Sequence, residues 1–290
     1  MRKKAVLIDE SSLQSRSSKR LMSEVPHFVH QPSAALRRHV REILWVSSKR
    51  SRVQVLLPET TLTLVFRLSG SAFIHDEALP SAIVSGLQQR TRVVEHAGNS
   101  SLAIVRFTEV GAPAILHDRV DLLYNRTAPL DSVLPRREID HLQNVLTDTR
   151  KLQQKVLAVE SFLDSRIRRQ NGTAQQGISP QIEAAAEMIR NSHGRYSIAT
   201  IARHVAMSQS ALERHFRVAV GVGPKKLSRL ARLQHVCRLW NTGRSLTDIS
   251  AEAGYFDQSH MVRDFRLFTG TSPEQFLRGA STRNLPIFSN

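Results

Sequence analysis

The stretch at residues 251–273, "AEAGYFDQSHMVRDFRLFTGTSP", starts as a helix and breaks at a glycine, two aromatics and a polar run. It then restarts with Gln258, Ser259 and His260. Apolar Met261 and Phe265 lie four residues apart, so the restarted segment has one buried side. Gly254 permits a reversal at positive φ, and Gly270 followed by Pro273 marks a second stop and start. Tyr255 and Phe256 at the corner are expected to pin it to a core.

The same pattern occurs upstream, in "SIATIARHVAMSQSALERHFRVAVGVGPKKL" at residues 197–227. Ser197 and Ser245, Ile198 and Leu246, Ile201 and Ile249, and Val205 and Ala253 correspond at an offset of 48. Beyond the corner Leu212 and Met261, Phe216 and Phe265, Gly221 and Gly270, and Pro224 and Pro273 correspond at 49. One residue is therefore inserted in the turn while the apolar spacing on both sides is kept, as a repeated tertiary unit requires. Ser197 and Ser245 stand at N-cap positions. Small Ala202 and Ser250 let a second helix cross closely.

Two short helices about a tight turn, the second with an apolar back and a polar front, form a helix-turn-helix. The front of its second helix is shaped for the major groove of DNA. In the first unit that front carries Gln209, Ser210, Glu213, Arg214 and Arg217; in the second, Gln258, Ser259, His260, Arg263 and Arg266. Arginine matches guanine O6/N7, glutamine matches adenine N6/N7, and serine fits several bases. Glu213 has two readings: an acceptor for cytosine N4, or an ion-pair partner of Arg217. The intervening "PKKLSRLARLQHVCRLWNTG" predicts a helix of about 18 residues, about 27 Å long, close to the roughly 34 Å of one DNA turn. Lys225, Lys226, Arg229 and Arg232 at its start, with Arg217 and Arg266, are placed for phosphates; Gln209, Ser210, Arg214, Gln258, Ser259, His260 and Arg263 are placed for bases.

The rest of the chain fits a two-part protein. A net charge of +16 over 290 residues favours a polyanionic partner, and arginine spread along the chain favours double-stranded DNA over a membrane surface. One cysteine, Cys237, excludes an internal disulfide and a cysteine-based zinc site. No apolar run reaches membrane-spanning length. The opening "MRKKAVLIDESS" has too short an apolar core for a signal peptide, which predicts a cytoplasmic protein. Residues 1–25 read as a mobile basic tail. Residues 26–167 read as a mostly-β domain ending in helices, 168–177 as a linker, 178–280 as all-helical and 281–290 as a tail. In the β domain "SAALRRHVREILW" predicts a helix with Leu36, Val40, Ile43 and Leu44 on one face. The runs "RVQVLL", "TLTLVFRL", "SAFIH", "SAIVSG", "TRVVEH" and "SLAIVRF" then predict strands of a sandwich or small barrel. The stripe of Leu142, Val145, Leu146, Leu152, Val156, Val159 and Leu163 fits a dimer seam or packing on its own domain.

Residues 178–278 resemble the DNA-binding domain of the AraC/XylS family of bacterial transcription regulators. The resemblance rests on "LTDISAEAGYFDQSHMVRDFRLFTGTSPEQF", with its glycine-aromatic pair, serine, phenylalanine, glycine and proline in place. It implies an α+β protein: a seven-helix domain with two helix-turn-helix subdomains joined by a long helix, behind a cupin-like sensor. Base-contacting positions then fall on Gln209, Ser210, Arg214, Gln258, Ser259 and Arg263. Ser250 stands where alanine is usual, and Ser210 and Ala211 leave the first recognition helix short of hydrogen-bonding side chains. "LPETTLTLVFRLSG" and "PSAALRRHVREILW" are similar to one divergent class of the family's sensor domains. By resemblance such a domain binds a small-molecule effector or dimerises, so the chain is expected as a monomer or homodimer, with RNA polymerase a further partner. No cofactor is implied. Two rival readings are a metal-dependent cupin-type enzyme on His75, His96 and His117, and a sequence-indifferent nucleic-acid-binding protein. The first lacks the paired-histidine spacing of a cupin metal site, so no enzyme is expected; the second leaves the repeat unexplained.

Overall fold

The structure, a computed structural model, describes residues 27–116, 119–171, 178–240 and 243–280. The predicted tails and His117 lie outside the described residues. Ten strands come first: β1 (His27–His30), β2 (Val40–Ser48), β3 (Arg52–Leu56), β4 (Thr63–Ser69), β5 (Ala72–Ile74), β6 (Glu77–Ala78), β7 (Ala82–Ser85), β8 (Arg92–His96), β9 (Ser100–Phe107) and β10 (Thr127–Pro129). They form a six-stranded sheet in the order β1-β2-β9-β4-β7-β10 and a four-stranded sheet in the order β3-β8-β5-β6. All six predicted strand runs are strands.

The helix expected over "SAALRRHVREILW" is not formed. One helical turn after Ser33 ends at Val40, whose N–H donates to the Leu36 carbonyl at 2.8 Å, and the chain continues as β2. This strand pairs with β9 from Val40↔Phe107 to Ser48↔Ser100 and buries both faces. Ile43 and Trp45 join the main core, and Leu44 and Val46 pack with Leu102 on the other side. A strand buried on both faces is a continuous apolar run, which imitates helical spacing.

The predicted amphipathic stretch after residue 135 is two helices. A short α1 (Pro113–Leu116) and a 3-10 turn (Val120–Leu123) precede them. Then come α2 (Arg136–Asp148) and α3 (Leu152–Asn171), so the first residues of the expected linker are helical. Leu142, Leu146, Val156, Val159 and Leu163 are buried, whereas Leu152 is exposed and Val145 half-buried. The stripe thus packs on its own chain. Phe66 of β4 meets Phe162 of α3 edge to face, with ring centroids 6.2 Å apart, a geometry that adds to the area term.

Seven helices follow: α4 (Pro180–Asn191), α5 (Ile198–His204), α6 (Gln209–Val220), α7 (Pro224–Trp240), α8 (Leu246–Glu252), α9 (Gln258–Thr269) and α10 (Pro273–Ala280). Their core is continuous with that of the β domain. Polar ties cross the junction. Arg38 holds Glu183 with two hydrogen bonds of 3.1 and 2.7 Å. Glu109, buried, accepts from Arg41 at 2.5 Å and Arg190 at 3.2 Å. Thr91 N–H donates to the Phe268 carbonyl at 2.9 Å. Gln234 donates to the Pro58 carbonyl at 3.2 Å.

Replacing Phe66 with alanine removes the ring that joins sheet to helix. The loss expected is about 3–5 kcal/mol, measured as a fall in the urea midpoint at unchanged slope.

Candidate nucleic-acid interface

The two predicted units are built alike, bond by bond. Ser197 Oγ accepts from Thr200 N–H at 3.1 Å at the start of α5, and Ser245 Oγ accepts from Asp248 N–H at 3.1 Å at the start of α8. Both first helices close with the same 6→1 bond of a Schellman turn: Met207 N–H to the Ala202 carbonyl at 2.9 Å, and Tyr255 N–H to the Ser250 carbonyl at 3.0 Å. The residue before each donor is left-handed, Ala206 at φ +52° and Gly254 at φ +76°. The first unit thus uses alanine where the second uses glycine, and alanine carries a steric cost in that region. Ser208 and Asp257 then cap α6 and α9, accepting from Ala211 and His260 N–H at 3.2 and 2.6 Å. Gly221 (φ +90°) and Gly270 (φ +80°) end both helices.

The extra residue of the second turn is Phe256. It was expected to pin the corner, yet its side chain is 93% exposed, and Tyr255 alone is buried there. Counting from the caps explains this: Met207 is followed at once by cap Ser208, while Tyr255 is separated from cap Asp257 by Phe256. An inserted residue has no place in a repeated core.

Behind the turns, Ile201, Ala202, Val205, Leu212, Phe216 and Val220 are buried in the first unit. Ile249, Ser250, Ala253, Met261, Phe265 and Phe268 are buried in the second. Ser250 Oγ is buried without a hydrogen-bond partner, so the hydroxyl at the usual alanine position gains nothing from the fold. Helix α7, about 26 Å long, runs between the units with Leu227, Leu230, Leu233, Val236 and Leu239 buried. Cys237 is also buried, and burial pushes its thiol up to about 12, far from a reactive thiolate.

The forward faces are exposed. Gln209, Ser210, Arg214 and Arg217 line α6, and Gln258, Ser259, Arg263 and Arg266 line α9. His260 is half-buried, its ring edge-on to Tyr255 at 5.2 Å. Glu213 takes the second of its two readings, accepting from Arg217 at 2.8 Å. Lys225 is exposed, but two neighbours expected on phosphates are engaged within the protein. Lys226 hydrogen-bonds the Tyr124 hydroxyl and lies 4.3 Å from that ring's centroid, on the β domain. Arg229 forms a two-bond pair with Asp264, at 2.6 and 3.2 Å. Asp264 is only 6% exposed, so this pair is internal to the domain. Asp264 was overlooked in the sequence, although it shares the inward register of Met261, Phe265 and Phe268. An acid at such a position needs a cation.

For the enzyme reading, His75 sits in an exposed turn and His96 is buried between the sheets. Among the described residues no group of three or more histidine, cysteine, aspartate or glutamate side chains is placed to hold a metal. Among the same residues no helix is long and apolar enough to cross a membrane.

Two family models match this chain. Residues 201–279 match a helix-turn-helix domain, and residues 29–129 match a domain of unknown function. An uncharacterized HTH-type transcriptional regulator of Staphylococcus aureus (strain N315) is 30% identical over 95 residues, 32% of this chain and 13% of the relative. The arabinose operon regulatory protein of Escherichia coli (strain K12) is 25% identical over 128 residues, 43% of this chain and 44% of the relative. The chain therefore spans about an eighth of the staphylococcal relative and less than half of the arabinose regulator. Among solved structures, apo ToxT K231A from Vibrio cholerae aligns over 86% of this chain and 99% of its own at 11% identity, with a TM-score of 0.44, too low to bear on the fold.

Substituting Arg229 with glutamine strands the Asp264 carboxylate. A destabilisation of about 3–5 kcal/mol is expected, read by chemical denaturation. A residue that served only DNA phosphates would leave stability unchanged.

Proposed function

We propose that the C-terminal part of this chain is a helix-turn-helix domain of the AraC family and that the protein is a sequence-specific transcription regulator that reads two successive major grooves. The observation that carries this reading is the repetition itself. Two recognition helices, capped and terminated by equivalent residues, present exposed polar faces, on which Gln258 accepts from Thr247 at 3.3 Å and Arg217 pairs with Glu213. Under this reading Gln209, Ser210 and Arg214 face one groove, and Gln258, Ser259 and Arg263 face the next. Lys225 and Arg266 meet phosphates, with Arg217 available once it leaves Glu213. The basic surface supplies the salt-dependent share of affinity and the polar faces supply discrimination.

The β domain, residues 26–167 of the sequence division, is assigned as a sensor that takes a small-molecule effector. Support comes from its intimate packing on the DNA-reading helices: Val120 against Gly221, Tyr124 against Lys226 and Thr91 against Phe268. The relatives named as transcriptional or operon regulators fit the same role. Such a protein works in the bacterial cytoplasm, alongside RNA polymerase, and the reading assigns no catalytic step to the chain.

Once the bound sequence is defined by selection from random duplexes, two substitutions separate the roles. Arg263→Ala is expected to cost about 1–3 kcal/mol at one base position, and Lys225→Ala to weaken all duplexes alike. Competition binding checks both. A random duplex that displaces the selected one as well as the selected one itself would refute sequence-specific reading.

A further inference from the structure

The turn of the second unit carries a side chain that neither the core nor the polar face of α9 accounts for. Phe256 is 93% exposed, and it is the residue by which the second turn exceeds the first. In the first unit half-buried Met207 runs directly into cap Ser208, and no large apolar side chain is exposed at that corner. From Leu246 to Arg266, Phe256 is the one large apolar side chain that is exposed.

The ring stands on a fixed arm. On one side Tyr255 is buried, with the Arg232 guanidinium 5.1 Å from its ring centroid and its own N–H bonded to the Ser250 carbonyl at 3.0 Å. On the other side Asp257 caps α9, its carboxylate accepting from His260 N–H at 2.6 Å. Both neighbours of Phe256 are held, so the backbone that carries the ring has little freedom left to lose on binding. Gln258 and Ser259 follow at the same end of α9, and Gln258 is steadied by the Thr247 hydroxyl, which donates to its Oε1 at 3.3 Å. In a helix-turn-helix this N-terminal end of the recognition helix is the part that meets base edges.

An exposed phenyl ring gains by covering apolar surface. The base edges of the major groove offer one apolar group, the methyl of thymine, and phenylalanine is among the side chains that pack against it. A lone ring between polar neighbours matches a target of that size, whereas a protein partner calls for a contiguous apolar patch. We infer that Phe256 reads the methyl group of a thymine in the half-site that α9 occupies. The inference rests on the reading of α9 as a recognition helix and adds a base preference that its polar face does not supply. It also makes the two half-sites unlike, because α6 has no counterpart to this ring.

The test uses the full chain and the duplex selected from random sequences, with each thymine replaced in turn by uracil, which lacks only the methyl group. The half-site of α9 is the one whose recognition Arg263→Ala disturbs. The unsubstituted protein is expected to lose about fourfold in affinity at one thymine of that half-site, the worth of one buried methyl group. Phe256→Ser should bind the thymine and uracil duplexes alike, and Phe256→Leu, which keeps an apolar side chain, should restore part of the difference. Uracil also alters the duplex itself, and the serine variant subtracts that effect. Because the ring is exposed, both variants should keep the urea midpoint of the unsubstituted protein, whose own uracil scan stands without them. A selected half-site without thymine, uracil tolerated at every position, a uracil effect that persists in the folded serine variant, or a serine variant that weakens all duplexes equally would each overturn the inference. Those outcomes leave sequence-specific reading intact as long as the selected duplex outcompetes random DNA; loss of that preference would sink both.

Discussion

The paired hydrogen bonds between Arg229 and Asp264 tie α7 to α9 and set which face of α9 looks outward. A twelve-residue helix such as α9 is short, and its apolar stripe alone leaves some freedom of rotation about its axis. The buried carboxylate removes that freedom, because only one rotation brings Asp264 onto the guanidinium of α7. With Asp264 turned inward, Arg263 and Arg266 are carried outward. The pair sits in a cage: Arg229 also lies over the Phe268 ring at 5.4 Å, and Arg232 covers Tyr255 at 5.1 Å. A buried ion pair is weak evidence for net stability but strong evidence for geometry, since breaking it strands a charge.

The first unit is held differently. Its recognition helix ends against the β domain, where a Cβ on Gly221 would meet the Val120 carbonyl at 3.0 Å. Lys226, at the head of α7, is fastened to Tyr124. The second unit touches the β domain through Thr91, the residue immediately before β8.

Much of the helical part was legible because its signals are local. Caps at Ser197 and Ser245, left-handed glycines at Gly221 and Gly270, and the paired anchors Leu212/Phe216 and Met261/Phe265 are each set by neighbours within a turn or two. The repeat then doubled every signal. What was missed depends on distant partners. The residues Val40 to Ser48 have helix-like spacing and become a strand only because β9 lies beside them and both faces are covered. Arg229 and Lys226 looked like phosphate ligands because their partners are 35 and 102 positions away. Phe256 looked like core because it is aromatic, although the one-residue insertion already identified the turn as its place. His96 stood out in the sequence only as one of three scattered histidines, and its register with Arg52 exists only because β3 and β8 pair.

The central claim is that one chain reads two successive major grooves with α6 and α9. Hydroxyl-radical footprinting of the selected duplex tests it most directly. The account predicts two protected patches on one face of the DNA, centred about 10 base pairs apart, with Arg214→Ala erasing one and Arg263→Ala the other. A single patch, or uniform protection that follows no sequence, would contradict it.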